Sequence, residues 1–554
     1  MPEAGGFDAN HHFLNSALTS FSYYLFGSGE FALRLPNLLF FPVYLFFWFK
    51  LSGFISNRLI RWIFLLAGLF AHNLIEFFAL SRGYGMSIAL LTAGLYYLLK
   101  AFQENRKGYF LPAVLFILLA LSANLSLLNS AILITLLMIL HFFSKLQYKS
   151  AALAVLAIIL CSGGIILSAL RLFKMRAKGS LYYGSGEGFW RVTIRSLLKA
   201  LLGLNGGFAE LFFDVSLLFL ICGSVYLAYK GYLTYKGLIF NPGLVITFFL
   251  FGNAAACLLL NKFFQVNFPE DRVGLYFLPL FIGSFCFISD ELLKGKETGT
   301  YLQLSALPLL AFPVHFLCSA NLSHASFYST ENIPHRFYKQ VSAFAQQGKC
   351  PATVGGYRMR ELAWDYQNFR HGGIGSLLDC NSYPQAESDF QVVVAGDLGE
   401  GLRYYEKLDY DVSSGLSLMK RKPFLKKQLL LEKQAGSSST AGEYFDLFKG
   451  RVDSLVTASL YVEAGFSLRC TQKHFRTWLV MSVKDLKGKS LLYERLPLDW
   501  LKTSWKGDPN NLLNGLTFHN LPAGSEYLVC YLWNQDRTPY DISTSNIRIY
   551  QLKP

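Results

Sequence analysis

Charge is what this sequence has least of. Charged residues fill 16% of its 554 positions, against about 25% in an ordinary soluble domain. The deficit falls between residues 36 and 320, so one soluble fold for the whole chain is excluded. Cysteine is sparse too. Of nine, Cys161, Cys222, Cys257, Cys286 and Cys318 lie in or beside apolar stretches, where a thiol is an inert apolar group. A disulfide-dense framework is therefore excluded, and no Cys-x-x-Cys motif is present. There is no Gly-x-Ser-x-Gly nucleophile turn. "GSGEGFW" at 184–190 has the glycines of a phosphate loop but neither a preceding strand nor a lysine in Walker spacing, so it reads as a flexible loop. Residues 1–35 also lack the cationic start and apolar stretch of an export signal.

What is present is a series of apolar blocks. They lie at roughly 36–54, 59–80, 85–102, 109–125, 127–144, 151–171, 214–230, 243–261, 272–290 and 302–320, each near the length of about 17–25 residues that a membrane span needs. Fifty phenylalanines and 31 tyrosines suit a lipid-facing surface with interfacial aromatic belts. The expected architecture is an α-helical polytopic membrane domain of ten spans over 36–320, preceded by a partial external loop, 1–35.

Short loops set the orientation. If the first span runs inward, Lys50, Arg58 and Arg61, Arg106 and Lys107, Lys145 and Lys149, Lys230 and Lys236, and Lys294 and Lys296 all fall on the cytoplasmic side. The polar stretch "FDANHHFLN" (7–15), the Ser81–Tyr84 turn, the 172–213 and 262–272 loops and the C-terminal region then lie outside. A polar head outside with no export signal is the reason to expect a further span upstream of Met1. The net charge of +15 is divided between two faces and has no soluble basic module, which argues against nucleic acid. An anionic headgroup or a phosphate-bearing lipid fits better.

Charges at span ends are the informative ones, since burying them in lipid is costly. Glu30 and Arg34 share a helix face ahead of the first span. Glu76 and Arg82 flank the second external turn in "IEFFALSRGYGMS", where Gly83 and Gly85 let the backbone approach a ligand. Glu270, Asp271 and Arg272 precede another span in "FPEDRVGLYFLPLF". Interfacial ion pairs would explain any one of these turns; three of them together point to a site. Adjacent His11 and His12 diverge on a strand and on a helix, so they read as hydrogen-bonding groups and not as metal ligands.

"GSGEFALRLPNLLF" followed by a run of spans resembles the start of the GT-C glycosyltransferase superfamily, which includes protein mannosyltransferases and the aminoarabinose transferases of lipid A. "ALSRGYGMS" is similar to that family's arginine–tyrosine segment, "PEDRVGLYFLPLF" to its late loop, and "DANHHFLNS" to a stretch in its first external loop. The resemblance covers about residues 7–290. It implies transfer of a sugar from a polyprenyl-phosphate donor to a glycan, lipid or protein acceptor, at the outer face of a bacterial cytoplasmic membrane. A carboxylate would take the acceptor proton, arginines would hold the lipid phosphate, and a divalent cation is an optional cofactor. Asn10, His12, Asn15, Glu30, Arg34, Glu76, Arg82, Tyr84, Asp271 and Arg272 are the implied substrate-binding residues, and Asp8 the candidate base. The family's acidic motif follows a first span; this chain begins beyond that point. The usual catalytic aspartate is therefore expected upstream of Met1, and the chain as given is expected to be inactive. A flippase- or polymerase-like protein, or a membrane-anchored glycan binder, is the alternative.

The remaining sequence reads as soluble. Residues 321–432 alternate helix and strand patterns ("RFYKQVSAFAQQ", "PATVGGY", "RELAWDYQNFRH", "DFQVVVAG"), a small α/β module. A Ser/Gly linker follows at 433–443, and residues 444–554 hold short strands ("LVTASLYVEA", "TWLVMSVKD", "EYLVCYLWNQ") suggesting an all-β sandwich of the jelly-roll kind. Outside the cell Cys350 could pair with Cys380 and Cys470 with Cys530. Trp500, Trp505 and Trp533 are candidates to stack on sugar rings, although tryptophan in a small sandwich more often fills the core.

Overall fold

The computed structural model describes residues 12–144, 151–177, 183–203, 206–234, 240–294, 304–322, 324–348, 352–357, 361–371, 384–394, 396–451, 459–472, 475–498, 505–506 and 510–553. The backbone divides into two compact units, residues 1–321 and 322–554. Met1, Asp8, Asn10, His11, Cys350, Cys380 and Trp500 lie outside the described residues. The candidate base Asp8 is thus not placed relative to the site described below.

The first unit is helical. Its helices are α1 (Phe13–Phe26), α2 (Glu30–Ser52), α3 (Arg58–Leu69), α4 (His72–Ala79), α5 (Gly83–Gln103), α6 (Phe110–Ala123), α7 (Leu128–Ser144), α8 (Ala151–Ala177), α9 (Arg195–Leu202), α10 (Gly207–Thr234), α11 (Pro242–Phe264), α12 (Phe277–Leu293) and α13 (Ala311–Ser319). Every apolar block contains helix. Among the described residues, six helices are long and apolar enough to cross a membrane, or seven if α3 and α4 form one bent span. Four of the ten blocks fall short of that length: α12 has 17 residues, and the other three hold bent or shorter helices. Helices α3 and α4 meet at 49°, and the segments Lys107–Ala123 and Leu307–Ser319 are shorter apolar helices. This is a multi-pass membrane unit.

The expected loop over 1–35 contains α1. This helix turns Phe13, Phe21, Tyr24 and Phe26 outward while burying Asn15 and Ser22. That polarity inverts the soluble pattern: the polar stripe meets protein, and the apolar face is left for lipid.

The helix ends sort into two sets. Helices α2 and α5 run side by side, with Phe47 5.7 Å from Tyr96 and Phe54 5.9 Å from the same ring, which brings Lys50 and Lys100 to one end. The Asp290 carboxylate accepts the backbone N–H groups of Ser56 (3.0 Å) and Asn57 (2.7 Å), and Lys294 lies 3.6 Å from it. The 53–58 turn and the end of α12 therefore share that end. Lys50, Lys100 and Lys294 are gathered there, and the opposite end holds the starts of α2, α5 and α12.

The second unit holds three sheets. One has the order β1 (Val354–Gly356), β2 (Phe390–Val394), β4 (Leu416–Arg421), β3 (Tyr405–Tyr410), with β1 and β2 parallel. Helices α14 (His335–Gly348) and α15 (Glu361–His371) complete this α/β part, and Phe337, Val341 and Trp364 share its core with Val392 and Leu418. The other two sheets face each other across one apolar core. They are β10 (Ser490–Pro497), β9 (Thr477–Lys484), β12 (Tyr527–Asn534), β7 (Tyr444–Arg451), and β11 (Asn510–Phe518), β8 (Leu460–Cys470), β13 (Tyr540–Lys553), β5 (Lys426–Ala435). The expected linker is built into the second sheet, since β5 runs to Ala435 and β6 (Ser438–Thr440) pairs with Tyr540–Ile542. Cys470 and Cys530 are free, buried thiols on strands of different sheets. Trp505 is core, packed near Phe475.

An aromatic clamp joins α2 to α3. Trp48 stacks on Phe64 at 4.0 Å and 9°, its Nε1–H donates to the Phe64 carbonyl (3.1 Å), and the Tyr44 hydroxyl donates to the Gly68 carbonyl (3.0 Å). A Cβ on Gly68 would lie 2.2 Å from the Trp48 ring. Gly68→Ala should therefore destabilise the unit by about 1–3 kcal/mol, read as a lower unfolding temperature in detergent. Gly29→Ala, where a Cβ meets nothing within 4 Å, is the matched control and should leave that temperature nearly unchanged.

Candidate functional site

At the end opposite the basic loops, a polar seam runs along α1. His12, at its N-terminus, donates Nδ1–H to the Ala123 carbonyl at the close of α6 (2.7 Å). Asn15 donates to the Ser81 carbonyl (3.3 Å), and Thr19 meets the Ser81 hydroxyl (3.3 Å). Asn37 sits at the centre, fully buried within α2. Its Nδ2 group donates to Asn15 Oδ1 (3.0 Å) and to the carbonyls of Leu80 and Arg82. These bonds close the turn between α4 and α5, whose carbonyls have no helical partner. Gly83 is required there, because a Cβ would lie 2.3 Å from the Ala123 oxygen and 2.8 Å from His12.

The seam sets Tyr84. Its ring meets His12 edge-on at 4.6 Å and Phe77 at 5.3 Å. Tyr84 is also close enough to the Tyr183 phenol to act on it electrostatically. Burial beside Asp271, Glu270 and Tyr84 holds that phenol up at about 12, with Arg272 opposing. The Arg272 guanidinium lies over the Tyr183 ring, 4.5 Å from its centroid. Tyr183 thus packs against the 270–272 turn and lies within electrostatic reach of Tyr84.

The 270–272 turn is held from α9. Ser196 Oγ accepts the Asp271 N–H (2.9 Å), and the Thr193 hydroxyl donates to the Pro269 carbonyl (2.6 Å). Asp271 takes a left-handed backbone, φ 45°, a conformation aspartate tolerates better than most residues. Burial raises its carboxyl above the ordinary range; Arg272, Lys199 and the Ser196 hydroxyl pull it back only in part. Glu270 is raised as well, by burial and by Asp271. "GSGEGFW" is not a free loop: Phe268 N–H donates to the Ser185 carbonyl (3.0 Å), Asn267 donates to that of Gly184 (3.0 Å), and a Cβ on Gly184 would meet the Phe268 oxygen at 2.2 Å.

A cavity of about 340 Å³ is lined wholly by apolar side chains, among them Trp190, Leu197, Leu198, Ala254, Phe277 and Phe281. Leu197 and Leu198 stand between Ser196 and Lys199 in the chain, and Phe277 follows Arg272 by little more than a turn. One wall of the cavity is the π-helical turn Trp190–Ile194, a rare form that recurs at functional sites.

Of the residues expected from sequence, His12, Asn15, Arg82 and Tyr84 meet at the seam, and Asp271 and Arg272 join them through Tyr183. Glu30 and Arg34 form the expected i,i+4 pair at 3.3 Å, both about half exposed. Glu76 pairs with His72 at 2.9 Å, and the His72 ring lies 5.9 Å from His315. Asn37, Tyr183, Ser196 and Lys199 were not singled out by sequence. A buried asparagine between "RLP" and an apolar run was the available signal for the first. Among the described residues no group of three or more His, Cys, Asp or Glu side chains could hold a metal ion.

No protein-family model and no curated protein sequence matches the chain. Among solved structures, arabinosyltransferase EmbB from Mycobacterium smegmatis aligns at 11% identity and a TM-score of 0.31, covering 99% of this chain and 63% of that one. The VP2 subviral particle of infectious bursal disease virus aligns at 10% identity and a TM-score of 0.19, covering 26% of this chain and 37% of that one. Likenesses of this size do not establish a common fold.

The raised Asp271 carboxyl has a consequence for stability. The folded state favours its neutral form, so its contribution is complete below the ordinary aspartate value, about 3.9, and is lost as pH rises through the raised folded value. Unfolding temperature should fall across that window, and Asp271→Asn should remove its share of the fall. An unchanged profile in the variant would contradict the assigned burial.

Proposed function

We propose that the chain is a membrane glycosyltransferase of the GT-C type, drawing sugar from a polyprenyl-phosphate donor for an envelope glycan, lipid or protein acceptor. The reaction would run at the extracytoplasmic face of a bacterial cytoplasmic membrane. One observation carries this reading: Arg272 and Lys199 both act on Asp271, and residues close to them in the chain, Leu197, Leu198 and Phe277, line a cavity with only apolar walls. A ligand satisfying both must be anionic at its head and greasy in its tail. The order of the motifs resembling that superfamily supports the same reading.

In the proposed reaction Arg272 and Lys199 hold the donor phosphate, and Tyr183 and Tyr84 wall the head site. The acceptor hydroxyl loses its proton to a carboxylate as its oxygen bonds to the anomeric carbon. The carbon–oxygen bond to phosphate breaks on the opposite side, and the electron pair leaves with polyprenyl phosphate, whose growing charge the two cations stabilise. Asp271 is a described carboxylate on which both cations act, and burial raises its affinity for a proton, as a general base requires.

Farnesyl phosphate is a soluble probe for head and tail together. It should bind more tightly than either farnesol or inorganic phosphate. Charge-assisted contacts are worth about 1.5–3 kcal/mol, so Arg272→Ala and Lys199→Ala should each weaken it roughly tenfold or more while farnesol binding is retained. Ala254→Trp, which fills the cavity, should erase the advantage over inorganic phosphate. Equal affinity for farnesyl phosphate and inorganic phosphate in the unaltered protein would overturn the reading.

A further inference from the structure

The second unit carries an aromatic surface that the transfer reaction does not use. Along β12, Leu528, Cys530 and Leu532 point into the sandwich core, so Val529, Tyr531 and Trp533 point out. Register aligns Trp533 with Tyr444 on β7 and with Trp478 on β9. Tyr493 and Arg495 stand on the same outer face, opposite Ser482 and Val480. The result is a band of rings that crosses all four strands, a width of about 14 Å at roughly 4.8 Å per strand step.

The rings are set against one another. Tyr444 and Trp533 lie near parallel, 6.2 Å apart at 17°, and Tyr531 meets Tyr444 at 5.8 Å and 69°. Trp478 stands edge-on to Trp533 at 5.1 Å, with the Arg495 guanidinium 4.2 Å over the Trp478 ring. Tyr444 is 56% exposed and Tyr493 42%. Cross-strand pairing alone would explain one or two such rings. It does not require rings on all four strands of one face, two of them as exposed as Tyr444 and Tyr493.

The polar rim identifies the ligand class. Glu443 accepts from Trp533 Nε1–H (3.4 Å) and from Arg537 (2.9 Å), and the Tyr444, Tyr493 and Tyr531 hydroxyls stand on the same face. Arg537 and Glu443 neutralise each other, and the Arg495 guanidinium lies on the Trp478 ring. The aliphatic residues of the face, Val480 and Val529, are buried at 0% and 7% and give a protein partner little to anchor on. Flat aromatic faces, hydroxyls and a paired carboxylate suit the C–H faces and hydroxyl edges of sugar rings. We infer that the outer face of the β10–β9–β12–β7 sheet is a binding platform for a glycan chain, with Tyr444, Trp533, Tyr531 and Tyr493 as its stacking residues. This rests on the sandwich alone and stands apart from the reading of the membrane unit.

The test uses the full-length protein in detergent, with linear gluco-, manno-, galacto- and arabino-hexaoses titrated by calorimetry and by tryptophan fluorescence. At least one hexaose should bind. Tyr444→Ala and Tyr493→Ala, both at exposed positions, should each weaken it roughly two- to tenfold without lowering the unfolding temperature or changing farnesyl phosphate binding. No binding of any hexaose, or unchanged affinity in both variants, would overturn the inference. So would capture of a proline-rich peptide on the same rings in place of sugar.

Discussion

The carboxamide of Asn37 is the interaction on which the site end of the membrane unit depends. It sits fully buried on α2 and closes the carbonyls of Leu80 and Arg82 where α4 stops and α5 starts. A broken span leaves peptide groups without helical partners, and an apolar surrounding offers no water to replace them. The same amide group holds Asn15, and with it the polar stripe of α1. One residue thus joins an inward-facing polar seam, the turn at Arg82 and the start of the central helix. Tyr84 follows in that helix, and through Tyr183 the geometry extends to Arg272.

The two ends of the unit use charge differently. At one end carboxylates serve structure: Asp290 caps a turn with two backbone N–H groups, and Lys294 stands beside it. At the other end Asp271 is bound by Ser196, neighboured by two cations and kept above its ordinary range by burial. The cavity belongs to that second end. Charged groups beside an apolar enclosure favour a ligand that is itself divided into head and tail.

Much of this was legible in the sequence, for definite reasons. Apolar blocks foretold helices, since spanning segments need long unbroken runs. The turns "ALSRGYGMS" and "PEDRVGLYFLPLF" stood out because arginines and carboxylates at span ends are costly without a role, and the structure places them at the starts of α5 and α12. The i,i+4 spacing foretold the Glu30–Arg34 pair. What escaped was non-local. Glu76 found His72 on its own helix, a partner one turn back that charge-matching with Arg82 overlooked. Tyr183 and Lys199 come from a long basic loop whose placement depends on close backbone pairing at Gly184. Helix α1 was hidden because its apolar residues are spaced by polar ones. The Ser/Gly stretch joined β13 because pairing with an open strand is invisible to composition.

The central claim is that one ligand spans the Arg272–Lys199 cations and the apolar cavity. A cryo-EM map of the protein with farnesyl phosphate tests it most directly. The account predicts phosphate density beside Arg272 and Lys199, with the isoprenoid chain running between Leu197, Phe277 and Phe281. Density for the chain elsewhere, with the cavity empty and the phosphate away from Arg272, would contradict it.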